Sequence, residues 1–259
     1  MLYSTEVTSS KIISDTPLYA RTRKAYEIVQ PWIAGNTLEI GCGEGYGIDI
    51  YKENTSSLTL IDKSSQAVSL LRQKHPKACV IKKRVPELTG IPDNSFDSII
   101  AFQVIEHLDN DRLFLNEIHR VLKPGGKAYI TTPNKSKTIV SNPWHYREYN
   151  LNELNSLLAG TFGKFDIKGI KGNAITDAYY ANNKASVTRI LQFDLLKLHR
   201  ILPDTLLKVP YELLNRINRL YLLKKNPTHI QSITSDDYQL DTCSEGTLDF
   251  FCVLEKRAS

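Results

Sequence analysis

Short apolar runs alternate with amphipathic stretches along the first half of the chain. Apolar runs that stop at glycine or polar residues predict buried strands at 37–41, 57–61, 78–82, 96–102 and 127–132. Apolar residues at helical spacing predict helices at 18–33, 46–51, 64–75 and 110–122. Strands that alternate with helices indicate parallel βαβ units in a doubly wound α/β sheet. Ligands bind such sheets at the carboxyl ends of the strands, so we expect functional residues after strands one, two and four.

The second half of the chain has a different pattern. A helix at 151–158 and strands at 165–170 and 247–254 complete a predicted seven-stranded, mostly parallel sheet. Residues 174–240 read as mostly helical, with Pro210 near a helix start. Two apolar stripes lie at helical spacing in this region: Val187, Leu191, Leu195, Leu198 and Leu202, then Leu213, Leu214, Ile217, Leu220 and Tyr221. Packing in the core or a lid, contact with lipid, and a dimer contact all remain open for these stripes.

The predicted domain organisation follows from these elements. Residues 1–173 and 241–259 form one α/β domain, and residues 174–240 form a helical lid or insert between strands six and seven. Residues 1–16 are polar and without periodicity, which predicts a flexible or lid-like arm.

Composition favours a globular protein of the cytoplasm. Of 259 residues, 41% are hydrophobic and 24% charged, which is enough apolar content to fill a core. No run of about eighteen apolar residues predicts a transmembrane helix, and the N-terminus lacks the apolar centre of a secretory signal. The four cysteines show no CxxC spacing, so neither a disulfide framework nor a zinc site is expected.

Positive charge is concentrated in the predicted insert. The chain has 33 basic and 28 acidic residues, a net charge of +5. Nine Lys/Arg and three Asp/Glu fall between Lys184 and Lys225, a net of +6, so the remainder is near neutral. A nucleic-acid partner is therefore not expected. One local basic element suits an anionic acceptor or contact with a membrane surface.

A glycine-rich loop is the strongest motif in the chain. Gly41, Gly43 and Gly45 stand in LEIGCGEGYG, directly after a predicted strand and before a helix. Glycines there allow a backbone to approach a ligand closely, although a tight strand-to-helix turn is the alternative reading. Glu39 precedes the loop within the strand. Asp62 ends the second strand, where an acid can bind ribose hydroxyls.

The loop resembles the first motif of class I S-adenosylmethionine-dependent methyltransferases. Tyr46 stands where a dinucleotide-binding loop has Gly or Ala, which argues against a nicotinamide-dependent oxidoreductase. Residues 91–110, 119–134 and 248–256 resemble the family's fourth-strand region, the segment leading into its fifth strand, and its closing strand. The resemblance implies a Rossmann-like methyltransferase fold with S-adenosylmethionine as the cofactor.

The resemblance also implies a set of cofactor-binding residues. The glycines pass the methionine and ribose, Asp62 binds both ribose hydroxyls, Lys63 covers the adenine, and Gln103 lies beside the methionine end. Val85 or Arg84 stands where many relatives carry an adenine-binding Asp. Tyr19 and Arg21 are candidates to close over the cofactor carboxylate, or else are ordinary helix residues. The full predicted set is Glu39, Gly41, Cys42, Gly43, Gly45, Asp62, Lys63, Val85, Gln103, Tyr19 and Arg21.

Methyl transfer requires alignment of donor and acceptor, and sometimes removal of a proton from the acceptor. His145 is the preferred base or acceptor-orienting group, because NPWHYREY (142–149) resembles a segment of methyltransferases that act on small molecules and sugar chains. His107 in VIEHL (104–108) is the second candidate. A purely structural role remains open for each histidine. The predicted acceptor-binding residues are Trp144, His145, Tyr146, Arg147 and Tyr149.

No metal ion is expected. Some quinone-precursor O-methyltransferases bind a divalent ion through Glu-x-x-Glu-His, but here Gln103 stands in place of the first carboxylate. Hard cations prefer carboxylates to amides.

The sequence therefore predicts methyl transfer to an oxygen, less readily a nitrogen, of a small metabolite or glycan precursor. A lipid or quinone precursor is the alternative acceptor, and a non-catalytic S-adenosylmethionine-binding protein is the alternative class. A homodimer is left open. The Asn/Asp-Pro-Pro-Tyr signature of DNA-methylating enzymes is absent after strand four, where AFQV (101–104) stands.

Overall fold

The structure, a computed structural model, describes residues 12–192 and 204–258. Its strands are β1 (Gly35–Ile40), β2 (Thr55–Asp62), β3 (Cys79–Lys82), β4 (Phe96–Phe102), β5 (Leu122–Pro133), β6 (Lys164–Gly172), β7 (Tyr238–Thr242) and β8 (Asp249–Glu255). The α-helices of the described residues are α1 (Thr16–Val29), α2 (Ile48–Tyr51), α3 (Ser65–Lys74), α4 (Asp111–Val121), α5 (Leu151–Ala159), α6 (Ala174–Gln192), α7 (Asp204–Lys225) and α8 (Pro227–Ser232).

The strands form one sheet in the order β3-β2-β1-β4-β5-β8-β6-β7. Strands β1 to β6 share one direction; β8 lies antiparallel between β5 and β6, and β7 is antiparallel to β6 at the edge. The chain reverses its winding between neighbouring β1 and β4. This confirms the doubly wound, mostly parallel sheet and places a topological switch point at the carboxyl ends of β1 and β4.

The sheet has eight strands in the described residues rather than the predicted seven. The additional strand, β7, includes residues 238–240, which the sequence assigned to the helical insert. Its five residues, YQLDT, lack the apolar run that revealed the other strands, and only Tyr238 is buried. Pairing with 168–172 of β6 holds them extended, which is a tertiary effect that local pattern does not record.

Local signals at the helix ends explain why several predictions succeed. The Ser64 side chain accepts a hydrogen bond from the Ala67 N–H and caps α3, at the start of the predicted helix 64–75. Asn150 and Glu153 form a capping box that starts α5. Apolar cores then lie on both faces of the sheet, with Phe114 of α4 on one side and Val29 of α1 on the other.

The insert is helical where it is described, in α6, α7 and α8. Leu195, Leu198 and Leu202 lie outside the described residues. Helix α7 begins at Asp204, so Pro210 lies inside the helix rather than near its start.

The second apolar stripe does not pack in the core of the described protein. Its five residues are each 46–57% exposed: Leu213, Leu214, Ile217, Leu220 and Tyr221. A different face of α7, with Asn218 and Leu222, is buried instead. Core packing is thus excluded for these five side chains.

The described end of the predicted flexible arm is fixed. Ser14 and Asp15 are buried, and Asp15 Oδ1 accepts hydrogen bonds from Arg216 (3.2 Å) and Arg219 (2.9 Å) of α7. A buried carboxylate needs such cationic partners, and these could not be inferred from about 200 residues away in the sequence. Residues 1–11 lie outside the described residues.

Over the described part of the chain, no helix combines the length and the apolar character needed to span a bilayer.

Candidate active site

The glycine loop leaves β1 at the switch point and turns sharply. Gly41, Gly43 and Gly45 have φ angles of +76°, +53° and +71°, which favour glycine. The Gly41 N–H donates to the Ile61 carbonyl at 2.8 Å, so the loop stays close to β2. A Cβ at Gly41 would lie 2.5 Å from a methyl group of Val104. The glycines are therefore required by this backbone, as the sequence predicted.

We expect Gly41→Ala to destabilise the protein by about 2–4 kcal/mol and to weaken cofactor binding, since it adds a steric clash to the cost of a positive φ. Gly90→Ala is a matched control, because Gly90 has φ +83° and a Cβ added there would meet no atom within 4 Å. That control should lose only about 1–2 kcal/mol. Urea denaturation of both variants measures the difference, and equal losses would contradict the packing argument.

Glu39 lies beneath the loop and does not line a cavity. Its carboxylate accepts hydrogen bonds from the hydroxyls of Tyr26 (2.6 Å) and Tyr51, and the residue is almost fully buried. Burial raises the pKa of Glu39 from 4.5 to about 7, although both tyrosine hydrogen bonds act in the opposite direction. Glu39 is thus placed to support the glycine loop from below.

This raised pKa predicts that stability falls as pH rises. Between pH 4.5 and 7 the unfolded chain ionises Glu39 while the folded protein keeps it protonated, so ionisation favours unfolding. The loss approaches about 3 kcal/mol at most above pH 7. We expect Glu39→Gln to flatten this decline when urea unfolding is measured from pH 5 to pH 8. A variant whose decline matches the wild type would disprove the assignment.

Asp62 joins the end of β2 to the glycine loop. Its Oδ2 accepts the Gly43 N–H at 2.9 Å and its Oδ1 accepts the Ser64 N–H at 2.7 Å. The carboxylate therefore braces the loop and also faces the cavity beside it.

A cavity of about 1020 Å³ opens above the glycine loop. Most of the predicted cofactor residues line it together: Gly41, Cys42, Gly43, Asp62, Lys63, Val85 and Gln103. Gly45 does not line it, and neither do Tyr19 and Arg21. Cys42 is buried, its thiol donates to the carbonyls of Glu39 and Ile61, and burial raises its pKa well above the usual range. These contacts fit a packing role for Cys42.

Tyr19 and Arg21 lie apart from this cavity. The Tyr19 ring packs 5.0 Å from the ring of Tyr46, which does line it. Arg21 faces a second cavity, where its Nε lies 2.8 Å from Asp249 Oδ2 and its guanidinium donates to the Tyr180 hydroxyl at 3.2 Å. The structure therefore places Tyr19 in a supporting position and Arg21 on the other side of Gln103.

The second cavity measures about 1400 Å³ and meets the first at Gln103 and His107, which line both. Its walls come from the loop after β5 and from the insert, including Tyr179, Tyr180, Tyr211 and Asn218. Gln103 has φ +56° and donates its side-chain N–H to Thr131 Oγ1 at 3.2 Å. The shared wall is where a group in one cavity can reach a group in the other.

His145 lines the second cavity in a defined tautomer. The Trp144 N–H donates to Asn142 Oδ1 at 3.1 Å, which orients the Asn142 amide so that its Nδ2 donates to His145 Nε2 at 2.8 Å. Nδ1 must then carry the proton, and it faces Glu148 Oε1 at 2.6 Å. Thr138 donates to the other oxygen of Glu148. In this tautomer the lone pair of Nε2 is the acceptor, and in this structure it accepts the Asn142 amide hydrogen.

His107 and Glu106 lie beside His145. The rings of His107 and His145 are 4.8 Å apart, edge to face, and His107 Nδ1 lies 2.9 Å from the Trp144 carbonyl. Glu106 is fully buried and accepts from Thr132 Oγ1 at 3.0 Å. Burial raises the pKa of Glu106 to about 7. The carbonyl of Glu106 accepts the Tyr146 N–H at 2.8 Å, which anchors the 142–149 loop.

Glu106, His107 and His145 each place one possible ligand atom within 4.8 Å of the others. A carboxylate with two imidazoles suits a transition metal better than Mg²⁺. Glu106 Oε1 is buried without a hydrogen-bond partner, whereas the Nε2 of His145 already receives Asn142. That no metal is needed therefore stays a prediction, and the assay below tests it.

The other predicted acceptor residues separate in space. Tyr146 is 73% exposed and lines the first cavity. Trp144 lies under Lys208 Nζ, 4.1 Å from its ring centre, and lines neither cavity. Arg147 pairs with Asp111, and Tyr149 is fully buried with its hydroxyl on the same carboxylate at 2.9 Å. Arg147 and Tyr149 thus hold the loop rather than face a ligand.

Sequence reasoning missed the partners of His145. Glu148 and Asn142 stand three residues on either side of His145, a spacing that returns both to the ring in a tight loop. The tyrosines of the insert were missed because nothing local shows that α6 and α7 return to cover the site.

The sheet order and the loops at its switch point identify the fold. A doubly wound sheet with one antiparallel strand between β5 and β6, a glycine loop after β1 and an acid after β2 make the Rossmann-like fold of class I S-adenosylmethionine-dependent methyltransferases.

Comparisons with known proteins agree. Residues 38–130 match the methyltransferase domain family. A probable S-adenosylmethionine-dependent methyltransferase of Mycobacterium tuberculosis (strain ATCC 25618 / H37Rv) is 36% identical over 146 residues, covering 54% of this chain and 53% of that protein. The mitochondrial ubiquinone biosynthesis O-methyltransferase of Rattus norvegicus is 27% identical over 124 residues, covering 45% and 36%. The chain spans about half the length of the mycobacterial relatives it matches.

A solved structure extends the likeness to nearly the whole chain. The methyltransferase from Thermotoga maritima described as a possible histamine N-methyltransferase has a TM-score of 0.60 at 14% identity, covering 95% of this chain and 91% of that one. At this identity the likeness concerns the fold. Residues 38–130 are thus a methyltransferase domain within a class I fold, and S-adenosylmethionine is the methyl donor of that family.

Proposed function

We propose that this chain transfers a methyl group from S-adenosylmethionine to a hydroxyl oxygen of a small-molecule or glycan-precursor acceptor. The observation that carries the proposal is the junction of the two cavities at Gln103 and His107, with the Glu148–His145 pair in the second cavity. A donor in the first cavity and an acceptor in the second would meet beside an imidazole.

The residues of the first cavity fit the cofactor. Asp62 is placed to present a carboxylate to the ribose hydroxyls, the glycine loop allows close approach, and Val85 and Lys63 also line the cavity. Bound S-adenosylmethionine supplies a methyl group activated by a sulfonium. The protein therefore needs chiefly to align the acceptor oxygen with that carbon.

His145 is assigned to the acceptor proton. As the oxygen–methyl bond forms, the hydroxyl proton moves to His145 Nε2, and Glu148 stabilises the resulting imidazolium through Nδ1–H. Asn142 Nδ2 occupies the position that the acceptor hydroxyl would take at Nε2, so Asn142 must yield when the acceptor binds. The products balance as a methyl ether, S-adenosylhomocysteine and one proton on His145.

Calorimetric titration with S-adenosylmethionine, S-adenosylhomocysteine and NAD tests the cofactor class. We expect both sulfur nucleotides and not NAD to bind.

Transfer of a labelled methyl group to pools of hydroxylated small molecules then tests the activity, with and without a chelator. Binding without transfer to any pool would favour a non-catalytic binding protein. Loss of transfer on chelation, with recovery on adding a metal, would place an ion at Glu106, His107 and His145.

A further inference from the structure

Helix α7 presents a continuous apolar face to the outside of the described protein. Val209, Leu213, Ile217 and Leu220 follow one another at intervals of four, four and three residues, with Leu214 and Tyr221 beside them. These six side chains are 46–74% exposed. Soluble proteins rarely expose a contiguous apolar patch of this kind unless it contacts something.

The charges at the C-terminal end of this face are positive. Lys224 and Lys225 follow Leu220 and Tyr221 by four residues, one helical turn farther along the same face, and both lysines are exposed. Glu212 is the only acid between 208 and 225; helical spacing turns it about 140° away from Ile217, beside Val209 at the edge of the face. Arg219 turns inward to Asp15. The exposed face therefore combines leucine, isoleucine and tyrosine with terminal lysines.

The apolar face is continuous with the second cavity. Leu214 belongs to the exposed row and also lines the cavity, as does Pro210. Tyr211 and Asn218, farther around the helix, form part of the cavity wall. Leu214 and Pro210 therefore connect the outer face of α7 to the mouth of the cavity.

We propose that the outer face of α7 docks on the surface of an anionic phospholipid bilayer. Apolar side chains enter the headgroup boundary, and Lys224 and Lys225 contact acidic headgroups. A second copy of this chain fits less well, because none of the six apolar side chains of its facing surface offers Lys224 or Lys225 an anionic partner. Resting on the proposed function, the acceptor is then a hydroxylated compound with an apolar chain that is partly held in the bilayer.

Co-sedimentation of the full chain with vesicles tests the docking surface. We use phosphatidylcholine vesicles with and without about 30% phosphatidylglycerol, a composition that supplies the surface charge. Ile217→Glu is compared with Ile175→Glu, an identical change at a residue of α6 that is 45% exposed, against 50% for Ile217. We expect the wild type and Ile175→Glu to bind anionic vesicles. Ile217→Glu should bind them at least about tenfold more weakly than the wild type.

A second variant pair tests the charge contribution without altering the apolar row. Lys224→Gln and Lys225→Gln should each weaken binding about fivefold, and high salt should remove that difference. No binding of the wild type to anionic vesicles would overturn the proposal, as would equal losses in Ile217→Glu and Ile175→Glu. So would a wild-type dimer that Ile217→Glu dissociates in sedimentation velocity, since that result assigns the face to a second copy.

Titration of every variant with S-adenosylmethionine separates this inference from the proposed function. Vesicle binding without cofactor binding would retain the surface and reject the methyltransferase activity. Cofactor binding without vesicle binding would reject the docking surface and leave the proposed methyltransferase activity standing.

Discussion

Replacement of Asp62 by alanine is expected to weaken S-adenosylmethionine binding by about 100-fold or more. The variant loses the carboxylate proposed to bind both ribose hydroxyls, and hydrogen bonds to a charged group contribute about 1.5–3 kcal/mol each. It also loses the acceptor for the Gly43 and Ser64 N–H groups, so the glycine loop is no longer braced. Calorimetric titration measures the affinity directly.

Asp62→Asn separates these two contributions. Its amide oxygen can still accept one of the two backbone N–H groups, while the negative charge is absent. We expect an affinity between those of the wild type and Asp62→Ala. An unchanged affinity in Asp62→Ala would reject the ribose assignment.

His145→Ala is expected to lower turnover about 100-fold or more while S-adenosylmethionine affinity stays within about twofold. Proton removal by a positioned base contributes about 10²–10⁴-fold. The cofactor cavity is unaffected because His145 lines the second cavity and not the first. Labelled methyl transfer gives kcat and KM, and the loss should fall mainly on kcat.

Glu148→Gln tests whether the pair acts as a unit. The amide keeps a hydrogen-bond acceptor for His145 Nδ1 but no longer stabilises an imidazolium, so turnover should fall by a smaller factor. His229→Ala is the control. The His229 ring forms a hydrogen bond with the Ile175 carbonyl at the surface, and His229 lines neither cavity. Full turnover in His145→Ala would mean that His107 accepts the proton of the acceptor hydroxyl, or that alignment of donor and acceptor is enough for methyl transfer.

Much of the first half of the fold could be predicted from the sequence because its signals are local. The strand 96–102 is a continuous apolar run between turns and was predicted to the residue. Ser64 marks a helix start because its hydroxyl can accept a backbone N–H of the first turn. The glycines mark positive φ angles because they have no Cβ. The carboxyl ends of β1 and β2 then place Asp62 beside the loop by topology alone.

The rest depends on contacts between distant residues. Nothing near Asp15 reveals that two arginines of α7 will bury it, and nothing near Arg21 reveals Asp249. The NPWHYREY segment showed aromatic and charged residues but not their directions, so Arg147 and Tyr149 were grouped with His145 although they face Asp111. The orientation of side chains in a loop is set by what the loop packs against.

The pairing of Gly172 with Tyr238 across β6 and β7 has an evolutionary consequence. The chain departs from the sheet and comes back at adjacent positions, as at the two ends of a hairpin. A change in the length of residues 173–237 would therefore leave the spacing of β1, β2 and β4 unaltered, provided that Tyr179, Leu222 and Ile230 keep their places in the core. Length variation at this edge would reshape the wall that α6 and α7 give to the second cavity while the strands around the glycine loop stay in register.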